Sequence, residues 1–276
     1  MVDKIYIVRH GFRLSWITNN WKSETGLPRD TPLAAYGVTQ AEETARYFAS
    51  LPEDERPTLI FSSPYYRCLQ TVQPIAKALG LPIYVEHGLA EWYSPARPGS
   101  GLHPRPGSAE SLKAHFPEID PEGWETIWYP SRKGESLSEV HDRCGGFLNA
   151  LLPEVDRRWK NKHQRILLVS HAATIIALIH ELEGDRTKEF RVGCCTLSEL
   201  ERKPGEDTSQ GAVGKFKATK RADGAHMEKG ADREWGFQDV EVRDGMTIDQ
   251  GIPGTENDAD FPVGCQLDKA SQSSNL

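Results

Sequence analysis

Short runs of apolar residues punctuate a largely polar chain: Ile5 to Val8, Leu59 to Phe61, Ile83 to Val85 and Ile166 to Val169. Each is short, unbroken and rich in β-branched residues, which predicts strands buried on both faces of a parallel sheet. A last strand is predicted over Cys195 to Glu201. Between these runs the apolar spacing turns helical. Ala41, Ala45, Phe48 and Leu51 share one face, with Thr39 as the predicted cap and Glu42 completing a capping box. Pro64 suits the first turn of a helix running to Gly80. Leu137, Val140, Phe147, Leu148, Leu151 and Leu152 line another helix, capped by Ser136 or Ser138. Strands alternating with helices predict an α/β three-layer sandwich, a mostly parallel sheet with helices on both faces. Residues 94–133, rich in Pro, Gly and Trp, read as an insertion or lid with at most short helices. Beyond residue 202 apolar positions thin out. The expected division is a domain over residues 1–202 and a polar, largely disordered tail over 203–276, dispensable for the domain, in which Lys215 to Lys220 and Trp235 to Val242 could pair as short strands.

Composition narrows the function. The 276 residues carry a net charge of -7, which argues against a membrane surface or direct nucleic-acid binding as the main task. No apolar run is long enough to span a bilayer, and Ile5 to Val8 is too short for a signal-peptide core. Five cysteines, an odd set without a C-x-x-C pair, fit reduced thiols in the cytoplasm or nucleus.

Chemistry gathers where the strands stop. Ligands in open α/β sheets bind outside the carboxyl ends of the strands. There the sequence places Arg9-His10-Gly11 with Arg13 close behind, Ser62-Ser63-Pro64 with Arg67 one turn into a helix, Glu91 among aromatic residues, and Ser170-His171. The set suits phosphoryl transfer. His10 can attack phosphorus through a free ring nitrogen. Arg9, Arg67 and Arg13, with Ser62, can hold the phosphoryl oxygens, and His171 can donate to them. Glu91, its pKa raised by desolvation, can protonate the leaving alkoxide and then activate water. This mechanism calls on no metal and no cofactor. Glu135 is the fallback carboxylate.

These stretches resemble the histidine phosphatase superfamily, in its phosphoglycerate-mutase-like branch. The matching residues are Ile7-Val8-Arg9-His10-Gly11, Leu33 through Ala41, Phe61-Ser62-Ser63-Pro64 with Arg67 and Gln70-Thr71, Gly134-Glu135-Ser136, and Val169-Ser170-His171-Ala172. The resemblance implies that His10 is the phosphorylated residue, that Arg9, Arg67 and His171 form the phosphate pocket, and that Glu91 is the proton donor. Tyr65 through Lys77 and Glu91-Trp92-Tyr93 are further similar to fungal phosphatase-like proteins related to the tau subunit of transcription factor IIIC. Arg13 and Trp92 replace residues that mutases carry there, which favours hydrolysis over mutase chemistry. The expected activity is a metal-independent phosphomonoesterase acting on a phosphorylated small molecule or phosphoprotein. The alternative is a non-catalytic assembly protein that keeps the fold, with a protein partner reached through the tail.

Overall fold

The computed structural model describes residues 1–240, 242–243, 246–247 and 260–267. In chain order its main elements are β1 (Lys4–Arg9), α1 (Ala35–Ser50), β2 (Leu59–Ser62), α2 (Tyr66–Leu79), β3 (Tyr84–Val85), α3 (Ala109–Leu112), β4 (Trp128–Tyr129), α4 (Leu137–Trp159), β5 (Arg165–Ser170), α5 (Ala172–Glu183), β6 (Leu197–Arg202) and β7 (Phe216–Asp223). Further along lie three two-residue strands, β8 (Val242–Arg243), β9 (Met246–Thr247) and β10 (Gly264–Cys265). The central sheet runs β3-β2-β5-β1-β6-β7. Its first four strands are parallel, and β6 is antiparallel to both neighbours. The expected α/β sandwich is what forms.

Alternation along β1 explains the layers. Ile5 and Ile7 face the cluster built with Phe147, Leu148, Ile175 and Leu178 of α4 and α5. Tyr6 and Val8 face the opposite cluster, built with Phe48, Leu69, Val72 and Ile75 of α1 and α2. A strand covered on both sides needs no polar residue until it ends, so Arg9 and His10 arrive together at the sheet's carboxyl edge. Ser136 caps α4 in a full capping box with Glu139.

Two local predictions are corrected. Helix α1 begins at Ala35 with Ala34 as cap, and Thr39 lies inside it, bonding back to the Ala35 carbonyl. The reason is packing. A Cβ on Gly37 would sit 2.2 Å from the Phe12 carbonyl, and one on Gly11 would sit 2.7 Å from the Gly37 carbonyl. The two glycines let the first turn of α1 press against the loop after β1. Pro64 precedes α2 by two residues, with Tyr65 as cap.

The boundary at residue 202 is also corrected. Strand β7 pairs with β6 and completes the sheet, with Phe216 fully buried and Ala218 and Ala222 packed on the core. Its apolar residues are few but fall at every second position, as an edge strand half-facing a core requires. Farther on, Trp235 bridges Val192. Strand β10 pairs with β4, and Asp260 accepts from the Ser131 hydroxyl and the Arg132 amide, fastening this segment to the 94–133 insertion. Part of the tail prediction falls on residues 241, 244–245, 248–259 and 268–276, outside the described residues. Among the described residues no helix is long and apolar enough to cross a membrane.

Candidate active site

The residues that end the strands do converge. His10 follows β1, His171 follows β5, and their rings lie 5.3 Å apart. Arg67 reaches in from the first turn of α2 and donates through Nη2 to Glu91 Oε2 at 3.1 Å, with His171 Nδ1 also at 3.1 Å. His10, Glu91 and His171 bring ligand atoms within 4.8 Å of one another, a set that could hold a metal ion by geometry. Arg9, Arg13 and Arg67 decide otherwise: three guanidinium charges around one carboxylate favour an anion over a cation.

His10 is 1% exposed. Its Nδ1 lies 2.8 Å from the Gly11 carbonyl, which can only accept. The proton is therefore on Nδ1, and Nε2 keeps its lone pair. Burial, reinforced by Arg67, Arg9, His171 and Arg13, holds the His10 pKa well below the ordinary imidazole range. The loop behind it is braced by helices: the Gly11 amide donates to Thr71 Oγ1 and the Phe12 amide to Gln40 Oε1.

Glu91 is brought to the site by a held loop. The Gly88, Leu89 and Ala90 carbonyls accept from Arg143, Ser170 and Thr174 respectively. Glu86, buried below, accepts from the Gly88, Ile127 and Trp128 amides and the Trp124 indole. The protonation expected for Glu91 is corrected. Burial does push its pKa up, but His171, Arg67 and Arg13 outweigh burial and hold it well below the usual carboxylate range. Charge next door defeats desolvation. Glu135, the fallback carboxylate, is gripped through both oxygens by Arg143 Nε at 2.7 and 3.0 Å, while burial still holds its pKa above the ordinary range.

Three of the predicted phosphate ligands carry orphan donors. Arg9 Nε, Arg13 Nε and Arg67 Nε and Nη1 are buried and have no hydrogen-bond partner. Arg9 Nη1, by contrast, is committed to the Val192 and Arg233 carbonyls, both at 2.6 Å. Ser62 is replaced by its neighbour. The Ser62 hydroxyl donates to the Ser63 carbonyl, while Ser63 Oγ lies 2.8 Å from His171 Nε2. Successive residues at a strand end point opposite ways. The Ser63 hydroxyl can donate or accept, so it supports either tautomer of His171. Sequence reading also missed Asp30, a fully buried carboxylate that accepts from the Tyr66 amide at the start of α2 and stands 3.9 Å from Arg67 Nη1. An Asp in a Gly- and Pro-rich loop carries no signal beyond a turn.

Comparison with known proteins places the chain in a family. Residues 5–212 match the family model of the histidine phosphatase superfamily, branch 1. The chain belongs to the histidine phosphatase superfamily. It is 39% identical over 212 residues to the transcription factor tau 55 kDa subunit of Saccharomyces cerevisiae, covering 73% of this chain and 48% of that one. The chain thus spans about half the length of that relative. It is 30% identical over 180 residues to the phosphatase PhoE of Bacillus subtilis, covering 65% of this chain and 77% of that one. Among solved structures it resembles the ecdysone phosphate phosphatase of Bombix mori in complex with tungstate, with a TM-score of 0.55, 17% identity and coverage of 80% and 93%. That last likeness is one of fold. The superfamily match ends at residue 212, short of the segment whose carbonyl at Arg233 holds Arg9.

Proposed function

We propose that the chain is a phosphomonoesterase acting through a phosphohistidine on His10. The observation that carries this is the set of orphan donors. Buried N–H groups without partners are rare and call for an explanation. Here four such groups belong to three arginines around a neutral imidazole. A tetrahedral phosphoryl anion supplies the missing acceptors. Arg13 and Arg67 donate to its oxygens and Arg9 adds charge. As Arg67 turns to the phosphate it frees His171 Nδ1, which then carries the proton and donates there while Ser63 Oγ donates to Nε2. His10 Nε2 attacks phosphorus, and the bond from phosphorus to the leaving oxygen breaks. The substrate enters as its phosphate monoanion. Its negative charge cancels part of the arginine field and raises the Glu91 pKa, so the substrate's proton passes to Glu91, which delivers it to the leaving oxygen. Glu91, again ionised, then takes a proton from water as it attacks the phosphohistidine, and phosphate leaves. Nothing in this sequence of steps requires a metal.

The test is turnover of a nitrophenyl phosphate with acid-quench trapping of the phosphoenzyme. Wild type should turn over and label, and His10→Ala should do neither. Turnover that survives His10→Ala would overturn the mechanism.

A second reading rests on the yeast relative, a transcription factor subunit. There the fold would serve assembly in the nucleus with a protein partner, and the pocket would be idle. A wild-type chain that binds phosphate yet leaves aryl phosphates intact, and that co-purifies with a defined partner, would favour it.

A further inference from the structure

We propose that Arg233 reads a second anionic group on the leaving side of the substrate, making the preferred substrate class phosphomonoesters that carry another negative charge close to the scissile phosphate. This rests on the phosphatase reading above and adds a specificity element from outside the family match.

The backbone around Arg233 is fastened to the pocket wall at four points. The Cys194 amide donates to the Asp232 carbonyl, Val192 and Trp235 exchange both backbone bonds, and Arg9 Nη1 donates to the Arg233 carbonyl. The Arg233 amide donates to Asp232 Oδ1. Arg233 itself is left-handed, at φ 52°. Few non-glycine residues adopt that conformation, and those that do cluster at functional sites. The twist sends the side chain across the pocket mouth. Its guanidinium lies 5.4 Å from the centroid of Phe12 and 5.4 Å from that of Trp16. Trp16 in turn lies 6.2 Å from the His10 ring. Arg233 is therefore one aromatic ring away from the nucleophile.

Cations line the aromatic rings, while the carboxylates of Asp232 and Glu43 lie on the Tyr36 side. Arg13 stacks on the same Trp16 at 4.3 Å. Lys229 stands 5.1 Å over Tyr36, whose ring lies 5.6 Å from Phe12. A row of three aromatic rings thus leads out from His10 with cations along it. Arg233 is exposed and has no ion-pair partner among the described residues. Arg9, Arg13 and Arg67 are occupied by the scissile phosphate in the proposed reaction. Arg233 is left over, at a distance suited to a second anion, and its planar fork matches carboxylate or phosphate oxygens.

The experiment compares phenyl phosphate with 4-carboxyphenyl phosphate. Arg233→Asn removes the charge but keeps a residue that tolerates the left-handed backbone. Arg233→Lys keeps the charge. Arg233→Asn should raise KM for 4-carboxyphenyl phosphate about tenfold more than for phenyl phosphate, with kcat for the two shifting alike. Arg233→Lys should recover most of the difference. Equal KM changes for both compounds would mean that Arg233 only supports the wall, and would overturn the proposal while leaving the phosphatase reading intact. A wild-type chain that turns over neither compound overturns the phosphatase reading. Calorimetric binding of the same pair to wild type and Arg233→Asn then still decides whether Arg233 separates them.

Discussion

Before any phosphate arrives, His10 is neutral and Glu91 is ionised, and the same arginines favour both states. Neither residue then gives kcat/KM a limb between about pH 6 and pH 8. What ionises there is the substrate, whose second phosphate pKa is near 6. The apparent pKa in kcat/KM should therefore move when substrates of different phosphate pKa are compared. A limb that stays fixed across substrates and vanishes in Glu91→Gln would instead place a protonated Glu91 in the free protein. Glu91→Gln should slow alkyl phosphates about 10²- to 10⁴-fold. Nitrophenyl phosphate should suffer less, since that leaving oxygen needs little help from a proton. The two serines make a cleaner pair. Ser63→Ala removes the partner of His171 Nε2 and should lower kcat by about tenfold, the effect of roughly 1.4 kcal/mol lost from a hydrogen bond to a charged or charging ring. Ser62→Ala should stay close to wild type in kcat, and the reverse order would restore Ser62 to the site. His10, His171 and Arg9 were legible because a polar residue ending a fully buried strand has no packing reason to be there, and Arg67 because it opens the helix that follows such a strand. Ser63, Asp30 and Arg233 were not, because their roles at the site come from partners 36 or more residues away in sequence, or from a backbone twist that no residue type announces.

At the scale of elements, the Glu91 loop is held by a carboxylate that the sequence reading passed over. Glu86 is fully buried and accepts four N–H bonds, two on each oxygen. An amide in its place must turn its NH2 toward two of those donors. Glu86→Gln should therefore destabilise the fold by about 2–4 kcal/mol, read as a lower urea midpoint, and should lower kcat by loosening Glu91. An unchanged midpoint would show that the loop does not depend on this hub. The central strands were readable because double-sided burial leaves an unmistakable apolar run. Helix α1 was misplaced because its start is fixed by the contact between Gly11 and Gly37, which exists only after folding. Strand β7 was expected only as a short strand that Lys215 to Lys220 could form in a dispensable tail, for a different reason. An edge strand needs apolar residues on one face only, and between Phe216, Ala218 and Ala222 lie Lys217, Thr219, Lys220 and Arg221. Counted by composition the stretch is polar; read at every second position it has a buried side.

For the molecule as a whole, buried titratable groups set the response to acid. His87 and His171 are both lowered by burial to about 4, and His10 is lowered as well. A histidine whose folded pKa lies below its unfolded value of about 6.5 contributes full stability above that value. The contribution is lost as pH falls from about 6.5 toward 4, at up to roughly 3 kcal/mol for each of His87 and His171. Glu86, pushed up to about 7 by burial, acts with the opposite sign and loses stability as pH rises from about 4.5 to 7. Six lowered histidines, with His163, His180 and His226 beside these three, stand against four raised carboxyls, Asp30, Glu86, Glu135 and Asp156. The urea midpoint should be lower at pH 5 than at pH 7, and a higher midpoint at pH 5 would refute the assignment. The sheet order makes a further demand. Ending the chain at residue 202 removes β7 and the Arg233 carbonyl together, so that truncation should lower the melting temperature and abolish phosphoenzyme formation, whereas ending it at residue 240 should preserve both through β7 and the Arg233 segment. Activity surviving the shorter cut would free the pocket from this segment. During synthesis, β1 leaves the ribosome long before its partners, because its sheet neighbours β5 and β6 lie more than 150 residues downstream. Such distant pairing is slow to establish. The strand that delivers His10 must wait, exposed and apolar, while α1, β2 and α2 are made. Arg9 gains its Arg233 carbonyl partner only when residue 233 has emerged, so under the proposed mechanism a nascent chain would hold no reactive histidine before that point.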